Sequence, residues 1–133
     1  MFKVIRTIHF SYGHRLLNYK GKCANLHGHN GRVEIEVSSP ALNSLGMVMD
    51  FYEIQKKIGA WIDEHLDHRM ILSEKDPFAA LLQKAGDPVV VMPENPTAEA
   101  LAKWIFDEAR RQGLPVSKVT LWETEHCAAC YEE

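Results

Sequence analysis

At 133 residues the chain holds one domain with its own core and lacks the length for two. Its 46% hydrophobic and 25% charged residues exclude disordered and low-complexity architectures, and a formal net charge of -3 supplies no global field for nucleic acid or anionic lipid. No apolar run approaches the roughly 18 residues of a membrane span, and the alternating amino terminus is no signal-peptide core, so a cytoplasmic protein with no nucleic-acid or membrane partner is expected.

The first predicted element is a strand over 2–10, which puts Phe2, Val4, Ile8 and Phe10 on one face and Lys3, Ile5, Thr7 and His9 on the other. Arg32 to Val37 alternates more cleanly, with Val33, Ile35 and Val37 against Arg32, Glu34 and Glu36, as in a sheet with one apolar and one polar face. Together the two runs describe a hairpin with a long loop. After Pro40, residues 46–50 read as a short strand leading into a helix. Asp50 is its cap, Glu53 stands where it can reach back to that cap, and Phe51, Ile54, Ile58, Trp61 and Ile62 follow at helical spacing to about His65.

The stretch 77–93 carries no assignable period. A second helix opens near Asn95-Pro96-Thr97, presents Leu101, Trp104, Ile105 and Ala109 on one face, and stops at Gly113. A last strand covers Val116 to Thr124. The order gives an α+β domain, a four-stranded antiparallel sheet with two helices on one face. Such a sheet has open edges and a polar face, which copies of the same chain would cover, so a homo-oligomer is expected.

Seven histidines and three cysteines stand out in this composition. In an extended backbone His27 and His29 point the same way, with Gly28 adding no side chain between them. The tripeptide alone equally describes the polar face of a strand. The hairpin, however, folds His14 back opposite the pair, and three imidazoles suit a catalytic zinc with one open position. Cys23, between Lys20, Lys22 and His27, reads as a reactive thiol acting as base or nucleophile, against the alternative of an inert buried cysteine. Asp67-His68 pairs a carboxylate with an imidazole for proton transfer, or is a solvated helix end. Glu123 closes the last strand, where a carboxylate can accept two parallel N–H bonds from a flat guanidine-like edge, or is an ordinary strand carboxylate. Cys127-x-x-Cys130 is a single pair without a second and receives no metal or redox role.

The ordered set His14, Cys23-x-x-x-His27-Gly28-His29, Gly46-x-x-x-Asp50-Phe51, Leu66-Asp67-His68, Pro96-Thr97-x-Glu99 and Glu123-Thr124 resembles the 6-pyruvoyltetrahydropterin synthase family over nearly the whole chain. The three-residue gap between Cys23 and His27 is similar to its bacterial, carboxy-forming branch in queuosine precursor synthesis. The resemblance implies a tunnelling fold, with sheets joined into a barrel as a homohexamer of two trimers. It implies zinc at His14, His27 and His29, and a proton-transfer set of Cys23, Asp67 and His68 assembled across subunits. Glu123 would anchor a pterin ring, with Thr97 and Thr124 as secondary contacts. The implied substrate is 7,8-dihydroneopterin triphosphate, converted to 6-carboxytetrahydropterin, acetaldehyde and triphosphate. Arg15, Lys20 and Lys22 are candidates to meet the triphosphate. The pyruvoyl-forming lyase of the same fold and a noncatalytic zinc or pterin module remain the alternatives.

Overall fold

The computed structural model describes residues 1–133. Two long strands, β1 (Phe2–His14) and β2 (His27–Ser39), form the hairpin that alternation predicts, paired antiparallel from Phe2 opposite Ser39 to His14 opposite His27. Because side chains alternate across a strand, this register puts Ile8, Phe10, Val33, Ile35 and Val37 on one face, where all are buried. β5 (Val116–Trp122) adds to β2 antiparallel and β6 (Ala128–Glu132) adds to β5 in the same sense.

These four antiparallel strands are the sheet expected from the sequence, with one difference of composition. The stretch 46–50 is not a strand. The Asn43 carboxamide oxygen accepts the backbone N–H groups of Leu45 and Met47 at 2.9 and 3.0 Å and winds the segment into a turn, so Val48 and Met49 meet the core without pairing. The fourth strand is β6, at the carboxyl end. On the other side of β1 the sheet gains two short parallel strands, β3 (Arg69–Ser73) and β4 (Val90–Met92), giving the order β4-β3-β1-β2-β5-β6.

The first long helix starts as α1 (Phe51–Ile54), capped by the Asp50 carboxylate on the Tyr52 N–H at 2.9 Å. It widens to a π turn at Gln55–Gly59 and resumes as α2 (Ala60–His65). A Cβ at Gly59 would lie 2.4 Å from the Gln55 amide nitrogen, and Gln55 accepts a hydrogen bond from Arg6 at 3.2 Å. α3 (Pro77–Lys84) occupies part of the stretch without assignable period. α4 (Ala98–Arg111) is capped by the Thr97 hydroxyl, which accepts from the Ala100 N–H at 3.1 Å, and is followed by Gly113 at a φ of 83°. Ile54, Ile58 and Ile62 of the first helix and Leu101, Ile105 and Phe106 of α4 join the sheet's apolar face in one core. No helix is long and apolar enough to cross a membrane.

Candidate functional site

The core face of the hairpin changes character at its open end. Register sets His14 opposite His27 and Tyr12 opposite His29, and parity keeps all four on the side that carries Phe10 and Val33 further along. The three imidazoles therefore meet, with ring centroids 4.6 Å (His14 to His27), 5.0 Å (His14 to His29) and 5.1 Å (His27 to His29) apart. One ligand nitrogen from each lies within 4.8 Å of the others, so this cluster can hold a metal ion.

Backbone carbonyls set the tautomers. His14 Nδ1 is 2.7 Å from the Pro96 oxygen and His27 Nδ1 is 2.7 Å from the Asn25 oxygen. A carbonyl only accepts, so both Nδ1 atoms carry the proton and both Nε2 atoms keep a lone pair. His27 Nε2 is buried without a partner. An orphaned lone pair facing two further imidazoles fits a cation. Burial holds His14 and His29 below the ordinary histidine range, opposed in part by the Pro96 carbonyl at His14 and by the Glu123 charge at both. His29 Nε2 lies 3.0 Å from Glu123 Oε2 and 3.1 Å from His14 Nε2.

Glu123 follows the end of β5 on the face of Val119 and Leu121, and its N–H donates to the Cys127 carbonyl at 3.0 Å. It opens into a hollow of about 170 Å³ shared with Ala98 and Glu99 at the start of α4. Thr97 adjoins that hollow, its hydroxyl engaged in capping. Thr124 is exposed, and its hydroxyl accepts from the His126 N–H at 3.1 Å.

Asp67 and His68 form the corner into β3. Asp67 Oδ1 accepts the Ser11 N–H at 2.8 Å, the His68 N–H donates to the Ser11 carbonyl at 2.7 Å, and Asp67 Oδ2 is 2.8 Å from His68 Nδ1. His68 sits at a φ of 58°, a conformation that costs a non-glycine residue energy and that these bonds to β1 fix. The Ser11 N–H and the His68 side chain and charge hold the Asp67 carboxyl below the usual carboxylate range against its partial burial. A cleft of about 510 Å³ is lined by His68 with Ser11, Gly13, Gly28 and Asn30, which have the opposite strand parity to the three imidazoles, and His27 and His29 border it.

Cys23 is not part of that group. It lies half-buried on a 3-10 turn (Lys22–Ala24), tied to the chain by its carbonyl, which accepts from the Leu16 N–H at 2.8 Å. No hydrogen bond joins its thiol to Asp67, His68 or the imidazoles of the same chain. Arg15 does not face an open anion site: its guanidinium grips the buried Asp76 carboxylate at 2.7 and 2.5 Å and stacks 3.7 Å from the centre of the Phe78 ring. Cys127 and Cys130 are free and exposed, and neither reaches the imidazole cluster.

Sequence reasoning missed Tyr12, whose parity with His14 marks its face, and the carbonyls of Asn25 and Pro96, for which side-chain identity gives no signal. Residues 3–133 match the sequence family described as 6-pyruvoyl tetrahydropterin synthase. A Rickettsia felis protein named 6-carboxy-5,6,7,8-tetrahydropterin synthase is 36% identical over 134 residues, 96% of this chain and 97% of its own. The solved structure of an uncharacterized Wolinella succinogenes protein superposes with a TM-score of 0.84 at 24% identity, covering 99% of this chain and 98% of its own. The Caenorhabditis elegans 6-pyruvoyl tetrahydropterin synthase does so with 0.72 at 25%, covering 99% and 95%.

Proposed function

This chain belongs to the 6-pyruvoyl tetrahydropterin synthase family, and from that premise we propose that it is a zinc-dependent lyase, a 6-carboxy-5,6,7,8-tetrahydropterin synthase serving queuosine formation in the cytoplasm. Its substrate is 7,8-dihydroneopterin triphosphate, and its products are 6-carboxytetrahydropterin, acetaldehyde and triphosphate. The observation that carries the reading is the convergence of three imidazoles with a carboxylate at their side.

His14, His27 and His29 are the residues to hold the ion, which when bound supplies Lewis-acid stabilisation of charge developing on substrate oxygens. The carbonyls of Pro96 and Asn25 keep the lone pairs of His14 and His27 pointed inward. Glu123 accepts the paired N–H groups of the pterin's amino edge and so fixes the reacting carbons relative to the imidazoles. Thr97 and Thr124 flank it, their hydroxyls already accepting from the backbone and keeping a proton to donate to the ring.

Asp67 holds His68 by Nδ1 and leaves its Nε2 to move protons at the cleft, with the Cys23 thiol as the second proton-transfer group. The family resemblance implies that this set is completed between neighbouring subunits of a homohexamer of two trimers, and the lack of a bond between that thiol and the Asp67–His68 pair within one chain is consistent with it. Anaerobic incubation with dihydroneopterin triphosphate, followed by product mass spectrometry, tests the reading. The carboxy product with acetaldehyde is expected. Recovery of the pyruvoyl product alone would make it the sibling lyase, and zinc retention without turnover would make it a binding module.

A further inference from the structure

The loop between β1 and β2, residues 15–26, starts after one imidazole of the cluster, His14, ends before another, His27, and carries Cys23. Within it the Leu16 N–H donates to the Cys23 carbonyl at 2.8 Å, so Cys23 moves with residues 16 and 17. One side chain holds these from outside the loop. Asn95 Oδ1 accepts the Leu17 N–H at 2.8 Å, and Asn95 Nδ2 donates to the Leu17 carbonyl at 3.0 Å. A carboxamide matches both groups because it carries an acceptor and a donor side by side, which a carboxylate does not. Asn95 takes no part in capping α4, a task of the Thr97 hydroxyl.

The same residue adjoins the support of the imidazole cluster. Buried Pro96 offers its carbonyl to His14 Nδ1 at 2.7 Å. The proline ring fixes its own φ, and the Thr97 N–H, donating to the Asn95 carbonyl at 2.9 Å, closes a three-residue turn around it. The direction of the Pro96 carbonyl is therefore set by where Asn95 is held. We propose that Asn95 is a positioning residue that couples two parts of the site: its amide fastens the Cys23 loop to the turn whose carbonyl orients His14, so that loop and imidazole are held, and released, together. The inference rests on the roles of His14 and Cys23 proposed above. Such coupling is reciprocal. His14 fixed on a metal ion steadies the 95–97 turn and, through it, the loop, while a loop that lets go of Asn95 frees the turn and loosens His14.

Two measurements on the purified protein test this: zinc affinity by competition with a chromophoric chelator, and hydrogen exchange of peptides spanning residues 15–26 with and without zinc. In wild type, zinc is expected to slow exchange of the loop about ten-fold. Asn95→Ala should lower zinc affinity about ten-fold, as loss of a ligand's outer support does, and leave loop exchange within about two-fold whether or not zinc is present. Asn95→Asp, of equal size but with an acceptor set against the Leu17 carbonyl, should behave in the same way and stands in if the alanine variant does not fold. Asp50→Ala removes the cap of α1, bonds to none of these residues, and controls for a general loss of stability: it should lower the melting temperature and leave both measurements at wild-type values. Zinc affinity or zinc-dependent protection retained in both Asn95 variants overturns the proposal, as do losses of the same size in Asp50→Ala. Wild type that binds zinc but whose loop exchanges alike with and without it overturns the coupling alone. Wild type that binds no zinc overturns the metal reading together with the inference built on it.

Discussion

His14 and His27 are each locked by a carbonyl of the backbone, so their orientation survives side-chain substitution around them and fails only when a ligand itself is removed. His27→Ala takes away one of three nitrogens, and metal content after dialysis, measured by mass spectrometry, is expected to fall at least about ten-fold. Cys23→Ala is expected to keep about one zinc per chain and lose turnover, because the thiol hydrogen-bonds to none of the imidazoles. Zinc lost from Cys23→Ala, or kept in full by His27→Ala, would reassign the ligands. The imidazoles were legible because a period of two is fixed by strand geometry alone. The Asn25 and Pro96 carbonyls were not, since every residue type carries one. Arg15 misled for a related reason: a sequence shows that a guanidinium exists and not that a buried carboxylate already holds it.

Asp76 shows how one residue ties an element to the sheet. Its carboxylate accepts the Phe78 N–H at 2.9 Å, capping α3, and the same group binds Arg15, the residue that follows β1. Asp76→Ala removes the cap and leaves a largely buried guanidinium unpaired, which should lower unfolding free energy by about 3 kcal/mol in urea titrations. The Arg15 guanidinium, ahead of the Phe78 N–H, holds the Asp76 carboxyl below its usual range although burial pushes the other way. A depressed folded pKa contributes stability in full above the unfolded carboxylate value of about 4, and that contribution is lost as pH falls through the folded value. The stability gap between wild type and Asp76→Asn should therefore narrow below about pH 4, and a gap constant down to pH 2 would contradict this. Elements were readable in proportion to their length. β1, β2, the long helix and α4 repeat their pattern over several turns or pleats, while β3 and β4, at five and three residues, repeat nothing. β6 was not legible because five residues of an edge strand repeat their pattern too few times, although Ala128–Glu132 alternates exposed and half-buried side chains as an outer strand does.

In the whole molecule, the proposed chemistry and the surface point to the same incompleteness. β4 and β6 leave both edges of the sheet unpaired, and Phe2, Ile5, Leu42, Leu45 and Phe51 are exposed, more apolar surface than a lone chain of this size usefully presents. His68 lines a cleft with Ser11, Gly28 and Asn30, of opposite strand parity to the imidazoles of its own chain, and the Cys23 thiol makes no bond to it. If the proton-transfer set draws Cys23 from one subunit and Asp67 with His68 from a neighbour, two inactive variants can repair each other. Cys23→Ala and His68→Ala, each inactive alone, should regain turnover when unfolded together and reassembled. Random mixing in equal amounts leaves about a quarter of the interfaces with both groups intact, so activity should approach that share of wild type. A mixture as inactive as its components, in assemblies shown by light scattering to be mixed and of native mass, would mean that each chain completes its own site, with a movement of the Cys23 loop bringing the thiol to His68.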